Sequence, residues 1–201
     1  MNSERFSNIA SGVLVLCALT VTGLLLRREF GTSPTPAAAA AFPRPRSVRP
    51  ADAEEARSAG HATTANASGP RIVVFSDYEC PFCRDLDETL DGLQERHPSA
   101  FTVAYRHYPL RIHRHAVPAA VAAECAARLG AFPQYHRLLF AMQDSLGAIS
   151  WTALASRAGV GDTARFTACL AEDAPRQQVA KDTLLGNRMK ITGTPAMLVG
   201  D

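Results

Sequence analysis

The clearest hydrophobic pattern in the chain is an apolar run whose period changes at a pair of cysteines. Residues 71–75 are apolar and mostly β-branched after the first position, which is typical of a buried central strand. After Cys80, apolar side chains recur every three or four residues over 86–93, the spacing of one helical face. The pattern therefore predicts a buried strand that leads directly into an amphipathic helix, which ends before Pro98.

A second strand and a run of helices follow. Along residues 101–106, apolar and polar side chains alternate, which predicts a strand. A further short apolar run follows Pro195 and predicts another strand, since proline is allowed at the first position of a strand. Between them, helical spacing, capping residues and stop signals predict five helices, over 116–129, 133–146, 151–158, 163–171 and 175–190.

Near its start the chain has a run of 18 uncharged residues, 9–26. As a helix they would span about 27 Å, close to the bilayer core of about 30 Å. The run is either a signal-anchor helix or the apolar part of a cleaved signal. Arg27 and Arg28 follow directly, without a small-residue cleavage site nearby, so we expect residues 1–30 to be an uncleaved transmembrane signal-anchor. Residues 31–69 are rich in Ala, Pro, Ser and Thr and predict a flexible linker, which leaves 70–201 for the folded domain.

Composition narrows the possible functions. The chain has 201 residues, of which 47% are hydrophobic, and this is sufficient for one good core. The net charge is only +2, and no block of Lys or Arg could follow a phosphate backbone. We therefore expect no nucleic-acid partner.

The candidate chemistry lies where the predicted strand meets the predicted helix, at Cys80-Pro81-Phe82-Cys83. The first N–H groups of a helix carry a partial positive charge, so a sulfur at that end ionises more readily, and the thiolate is the reactive form. Pro81 suits the first turn, and one turn of helix brings Cys83 back beside Cys80, within reach of a disulfide. In this interpretation Cys80 attacks and the more enclosed Cys83 resolves the mixed disulfide.

Spacing alone leaves other interpretations of this pair open, namely half of a zinc site or a structural bridge. Zinc needs two more ligands, and the sequence has no second C-x-x-C or closely spaced His pair, although His107, His113 and His115 lie downstream. We therefore predict a redox pair, with no metal and no cofactor besides the Cys80–Cys83 disulfide. His113 and His115 are expected either to be solvated loop residues or to tune that pair.

Two further cysteines, Cys125 and Cys169, lie in the predicted helices. They are either two free, packed cysteines or, in an oxidising compartment, a structural disulfide.

Two motifs, F-S-D-Y-E-C-P-F-C at 75–83 and G-T-P-A at 193–196, resemble those of the DsbA-like thiol–disulfide oxidoreductases. The resemblance covers residues 71–201. It implies an α/β, thioredoxin-like fold with an all-helical insertion at about 113–190. It also implies that Pro195 is a cis-proline beside the disulfide, and that the backbone of Thr194 pairs with an extended substrate strand. The last strand is then expected to lie antiparallel to the first.

The sequence departs from the family pattern in three ways. Pro81-Phe82 lacks the histidine that DsbA has between its cysteines, so strong oxidising power is not implied. Little precedes the first predicted strand, so the leading strand and helix are expected to be reduced or absent. The chain stops at Asp201, so we expect a fold cut short after the cis-proline strand, with Met197 to Val199 on an uncovered edge.

Together these observations predict a membrane-anchored oxidoreductase with its catalytic domain on the periplasmic side. It would act as a dithiol oxidase on exported proteins and be recycled by a membrane redox partner of the DsbB or VKOR type. The alternatives are a reductase or isomerase kept reduced by a membrane partner, and a docking module without turnover. Under the positive-inside rule, the arginines after the apolar run would leave the catalytic domain in the cytoplasm. That rule weakens when a whole folded domain follows the membrane segment.

Overall fold

The strands and helices form a mixed α/β architecture. A computed structural model of the chain describes residues 47–63 and 69–200. Within these residues there are four strands: β1 His61–Ala62, β2 Arg71–Ser76, β3 Thr102–His107 and β4 Ala196–Val199. The same residues include seven α-helices: α1 Pro50–Ser58, α2 Pro81–Arg96, α3 Ala116–Arg128, α4 Phe132–Ala141, α5 Trp151–Arg157, α6 Thr163–Leu170 and α7 Asp173–Arg188.

The four strands form one sheet in the order β1-β3-β2-β4. Strands β2 and β3 are parallel, and β1 lies antiparallel to β3. The expected antiparallel pairing of β4 with β2 is confirmed, with Val73 opposite Leu198 and Phe75 opposite Ala196. Strand β4 forms one edge of the described sheet.

Both faces of the sheet are covered, so β2 and β3 are buried along nearly their whole length. On one face, Val74 and Val103 belong to the larger core, together with the buried side chains of α3 and α4. On the other face, Val73 and Phe75 pack with Leu185 of α7. The apolar run of β2 is thus continuous because its two faces serve two different cores.

Part of the predicted linker is folded. Helix α1 buries the small side chains of Ala53 and Ala56, and Arg106 of β3 donates to the Ala56 carbonyl with an Nη2–O distance of 3.2 Å. The linker prediction is therefore wrong for 50–62. The leading helix is present and the leading strand is reduced to two residues. The hydrophobic pattern missed α1 because it packs through alanines and buried polar contacts rather than large apolar side chains.

The predicted anchor and the first part of the predicted linker, 1–46, lie outside the described residues. In the part of the chain that the structure describes, no helix combines the length and apolar character needed to cross a bilayer. From Val48 onward the described residues belong to one compact unit.

The insertion contains the five predicted helices, and only one end differs from its predicted position by more than two residues. Helix α4 stops at Ala141, five residues before the predicted end, and a single 3₁₀ turn over Gln143–Ser145 follows. In this turn the side chain of Gln143 is buried, and its Nε2 donates to the Tyr78 carbonyl at 2.8 Å and to the Cys80 carbonyl at 3.1 Å. The insertion is thereby fastened to the cysteine motif.

Cys125 of α3 and Cys169 of α6 form a disulfide, with an S–S distance of 2.08 Å and a Cα–Cα distance of 5.8 Å. Both cysteines are buried. The bond closes a loop of 44 residues that includes α4 and α5.

Replacing both Cys125 and Cys169 with alanine is expected to lower the free energy of unfolding by about 2–4 kcal/mol, because the unfolded chain regains the entropy of a loop of this size. Urea denaturation of the oxidised proteins measures this loss. The double variant Cys80→Ser, Cys83→Ser serves as the control, since it keeps the 125–169 bond. An unchanged unfolding midpoint in the alanine variant would contradict a stabilising role.

Candidate active site

Cys80 lies immediately before helix α2, at the end that carries the partial positive charge. Pro81 occupies the first helical position, and the backbone N–H of Cys83 donates to the Cys80 carbonyl at 3.0 Å. Both cysteines are free thiols, with 4% and 1% of their surfaces exposed, whereas Phe82 between them is 69% exposed. The local geometry therefore holds two thiols at a helix terminus beneath an exposed apolar side chain.

The Thr194–Pro195 peptide is cis and lies against this pair. The Cys80 thiol donates to the Thr194 carbonyl with an Sγ–O distance of 3.4 Å. The sheet register explains the proximity, because β4 begins directly after Pro195 and its first residue, Ala196, pairs with Phe75 of β2. Thr194, although far from Cys80 in the sequence, thus lies beside the start of α2.

The two sulfurs have different environments. Burial raises the pKa of the Cys83 thiol to about 12. The Asp77 backbone N–H, 3.4 Å from the Cys83 sulfur, partly offsets this effect, as do the nearby hydroxyls of Ser76 and Thr194. These two hydroxyls lack a well-aligned hydrogen-bond partner among the described residues. Cys83 is thus held as a protonated thiol at neutral pH.

Asp77 is buried and orders the loop that carries the two candidate histidines. Its carboxylate accepts from the Glu79 backbone N–H at 2.8 Å and is paired with His113 Nδ1 at 2.8 Å. The backbone N–H of His115 in turn donates to the Glu79 carboxylate at 2.5 Å. His113 is therefore not a solvated loop residue, because its ring is tied to the residue whose own N–H contacts the Cys83 sulfur.

A buried chain of hydrogen bonds links the motif to the insertion. Tyr78 Oη lies 2.9 Å from His136 Nδ1, and His136 Nε2 lies 2.9 Å from Asp87 Oδ1. Tyr105 donates to the same Asp87 oxygen at 2.5 Å. Burial acts to raise the pKa of Asp87, but the hydrogen bond and charge of His136 outweigh it, and the pKa is lowered overall. The hydrophobic pattern did not predict this network, since its four members lie on two helices, a strand and a turn.

Replacing Asp87 with asparagine is expected to reduce the acid sensitivity of the fold. The pKa of Asp87 is lower in the folded protein than in the unfolded chain, where Asp titrates near about 3.9. Its contribution to stability is therefore complete above that pH and is lost as the pH falls through the folded-state pKa. Urea unfolding between pH 7 and pH 2 should show a variant that is less stable at pH 7 and changes less with pH.

The control for this measurement is Asp85→Asn, which changes an exposed carboxylate on the same helix. It should retain the pH profile of the wild type. If Asp87→Asn also retained that profile, the hydrogen bonds to His136 and Tyr105 would not be the source of the acid sensitivity.

A second polar cluster was missed at the sequence level. His61 of β1, His107 at the end of β3 and Glu124 of α3 have their ligand atoms within 4.8 Å of one another. Burial acts to raise the pKa of Glu124, but the nearby His107 ring and the hydrogen-bonded His61 ring lower it to about 2. This cluster was not predicted from the sequence, because His61 was assigned to a flexible linker rather than to a strand of the sheet.

Comparison with known proteins supports the fold. The sequence pattern of the thioredoxin family matches residues 58–201, well over half of the chain. Proteus mirabilis ScsC in a transitional conformation has a TM-score of 0.65 at 18% identity, covering 100% of this chain and 89% of that one. Oxidised BdbD from Bacillus subtilis has a TM-score of 0.61 at 21% identity, covering 70% of this chain and 80% of that one. At these identities the likeness concerns the fold.

Curated relatives are more similar in sequence but much longer. The Na(+)/H(+) antiporter NhaA 3 of Salinispora tropica is 35% identical over 137 residues, which are 65% of this chain and 21% of the antiporter. NhaA 1 of Mycobacterium sp. (strain KMS) is 37% identical over 101 residues, which are 49% of this chain and 16% of that protein. The chain thus spans about a fifth of the length of these relatives or less. Since the family pattern covers the cysteine motif, the insertion and the cis-proline alike, the chain belongs to the thioredoxin family, in the DsbA-like form of that fold.

Proposed function

We propose that the protein exchanges its Cys80–Cys83 disulfide with cysteines of exported proteins, as a dithiol oxidase that assists disulfide formation. The observation that carries this proposal is the position of the Cys80 sulfur, at the start of α2 and 3.4 Å from the carbonyl that precedes the cis-proline. A reactive sulfur at a helix terminus, beside the backbone of the half-buried Thr194–Pro195 segment, is suited to attack by many different chains.

The reaction transfers two electrons from the substrate thiols to the Cys80–Cys83 disulfide and needs no other cofactor. A substrate thiolate attacks the Cys80 sulfur, and the Cys80–Cys83 bond breaks as a mixed disulfide forms. Cys83 leaves and takes up a proton, which its raised pKa favours. A second substrate thiolate then attacks the substrate sulfur of the mixed disulfide, and Cys80 leaves as a thiolate at the helix terminus. The substrate is oxidised to a disulfide and the cysteine pair is reduced to two thiols.

Substrate binding in this scheme uses backbone contacts and apolar surface. The segment at Thr194 and Pro195 precedes strand β4 and provides polar backbone groups for an extended chain. Phe82 is 69% exposed, and Ile112, in the loop ordered by Asp77, is 85% exposed. Such side chains suit unfolded substrates, whose own apolar residues are accessible.

The compartment and the partners follow from the same chemistry. The Cys125–Cys169 disulfide supports an oxidising compartment, because such bonds are rare where thiols are kept reduced. We place the domain on the periplasmic side of the cell membrane, anchored through residues 1–30. A DsbB- or VKOR-like membrane partner would then remove the two electrons and restore the Cys80–Cys83 disulfide.

One observation favours a second candidate, a reductase or isomerase. Phe82 lies between the cysteines and offers no charge to a Cys80 thiolate, so the reduced form gains less stability than a histidine would provide. A less stable reduced form corresponds to a lower reduction potential. The direction of electron flow therefore separates the two candidates.

Two measurements on the full chain test these proposals. The oxidised protein should convert a peptide with two cysteines to its disulfide, whereas Cys80→Ser should not. If the oxidised wild type converted no peptide, a docking module without turnover would be favoured instead. Equilibration with glutathione then gives the reduction potential. A value above about −200 mV fits the oxidase, and a value below about −250 mV fits the reductase.

A further inference from the structure

A cluster of three possible metal ligands lies outside the cysteine pair. His61 comes from β1, His107 from the end of β3 and Glu124 from the buried side of α3. Glu124 Oε1 lies 2.7 Å from His61 Nε2 and 3.0 Å from His107 Nε2. The side chains of His107 and Glu124 are 3% and 5% exposed, whereas that of His61 is 27% exposed. The imidazoles of His61 and His107 thus converge on one carboxylate oxygen of Glu124.

The described residues leave one nitrogen of this cluster, His107 Nε2, without a hydrogen-bond partner. His107 Nε2 lies close to the Glu124 oxygen, but the atoms are not aligned for a hydrogen bond, and this buried nitrogen has no other partner among the described residues. A buried nitrogen without a partner is costly, and native structures rarely retain one without a reason. A bound cation would use the lone pair of this nitrogen.

We propose that His61, His107 and Glu124 bind a divalent transition-metal ion, with zinc as the expected occupant. Two neutral imidazoles and a carboxylate are a donor set that zinc uses when it keeps a fourth position open. Calcium and magnesium prefer sets made of oxygen alone, which disfavours them here. The three ligands lie on separate elements, so their spacing in the sequence does not match that of a zinc-finger motif.

The geometry requires only a small adjustment. Zinc–ligand bonds of about 2.0–2.2 Å in a tetrahedral arrangement separate the ligand atoms by about 3.4 Å. His61 and Glu124 would therefore move apart by several tenths of an ångström from their present 2.7 Å. His61 can make this movement because it lies on the edge strand β1 and is partly exposed. Its ring is oriented by Phe132, whose centroid is 4.5 Å away.

A neighbouring cavity leaves room for the ion to reach the cluster and for a fourth ligand to bind. The cavity has a volume of about 440 Å³ and is lined by His61 and Glu124 together with Gly60, Gln177 and Gln178. Arg128, Lys181 and Asp182 also line it, so polar and charged groups surround the open coordination position, which suits a water molecule. The ion would fasten the two-residue strand β1 to β3 and α3, and binding would therefore stabilise the start of the domain.

The test uses the full chain with Cys80 and Cys83 oxidised, so that no thiolate competes for the metal. Calorimetric titration with zinc should give one ion per chain, and cobalt should produce the visible absorption of a four-coordinate site. Zinc should also raise the thermal midpoint. His61→Ala and Glu124→Gln should each weaken zinc binding at least about 100-fold, since even outer-shell partners are worth 10–100-fold. The matched control is His97→Ala, an exposed histidine that follows α2, and it should bind as the wild type does.

Three outcomes would overturn the proposal: no zinc bound by the oxidised wild type, unchanged affinity in His61→Ala, or binding that appears only after Cys80 and Cys83 are reduced. If Glu124→Gln fails to fold, His61→Ala decides, because His61 is the most exposed of the three ligands. The proposed disulfide exchange uses none of these residues, so the two proposals fail independently.

Discussion

Cys83→Ser is expected to stop disulfide exchange after its first step and to accumulate a covalent complex with substrate. The remaining Cys80 sulfur lies at the start of α2. It can attack the disulfide of a glutathionylated peptide, so that a mixed disulfide with the peptide forms and glutathione leaves as a thiol. In the wild type the Cys83 sulfur resolves this bond, and a serine hydroxyl cannot. Turnover of the two-cysteine peptide should fall at least about 1,000-fold, because without Cys83 the protein has no disulfide to transfer.

Non-reducing electrophoresis and mass spectrometry detect the complex, and dithiothreitol should release it. Cys80→Ser is the matched control, because it retains the buried Cys83, whose raised pKa leaves almost no thiolate at neutral pH. It should form no complex and react slowly with alkylating agents. A stable complex in Cys80→Ser, or rapid resolution in Cys83→Ser, would reverse the assigned roles.

Asp182→Ala is expected to lower the free energy of unfolding by about 3–5 kcal/mol, because it leaves a buried guanidinium without its counter-ion. Arg106 Nη1 lies 2.7 Å from Asp182 Oδ1, and the two side chains are only 5% and 1% exposed. Asp182 also accepts the backbone N–H of His107 at 3.1 Å. One carboxylate on α7 thus satisfies both a side chain and the backbone of β3.

Chemical denaturation at pH 7 measures the loss. Asp144→Ala removes an 89% exposed carboxylate whose Oδ1 lies 3.6 Å from Arg84 Nη1. The stability of this variant should remain within about 0.5 kcal/mol of that of the wild type. The double variant Arg106→Met, Asp182→Leu should be more stable than Asp182→Ala, because no buried charge is left unpaired. If Asp182→Ala behaved like Asp144→Ala, the pair would contribute nothing beyond an exposed ion pair.

The sequence by itself determined the centre of the fold. The change from a strand period to a helical period at Cys80 is local information, and β2 and α2 formed where it placed them. The helices of the insertion were also predictable, because capping residues and glycine or proline stops act over one or two turns. Their ends shifted by a few residues, as at Ala141, where the Gln143 amide turns towards the motif.

Other parts of the fold depended on pairing between distant segments. Helix α1 has no strong apolar stripe and is held by buried contacts such as that of Arg106 with Ala56. Nothing near 50–62 in the sequence indicates that partner. The meeting of Cys80 with Thr194 came from the family resemblance rather than from periodicity, and the structure brings the two together through the register of β4 on β2.

The polar sites were decided by tertiary structure alone. His61, His107 and Glu124 converge because β1 pairs with β3 while α3 covers that edge of the sheet. Asp77 and His113 meet because the loop after β3 returns to the turn that precedes α2. A polar side chain carries no periodic signal of its partner, since its hydrogen bonds depend on direction and distance in three dimensions. Local sequence therefore specified which elements form, and long-range packing specified which polar groups share a site.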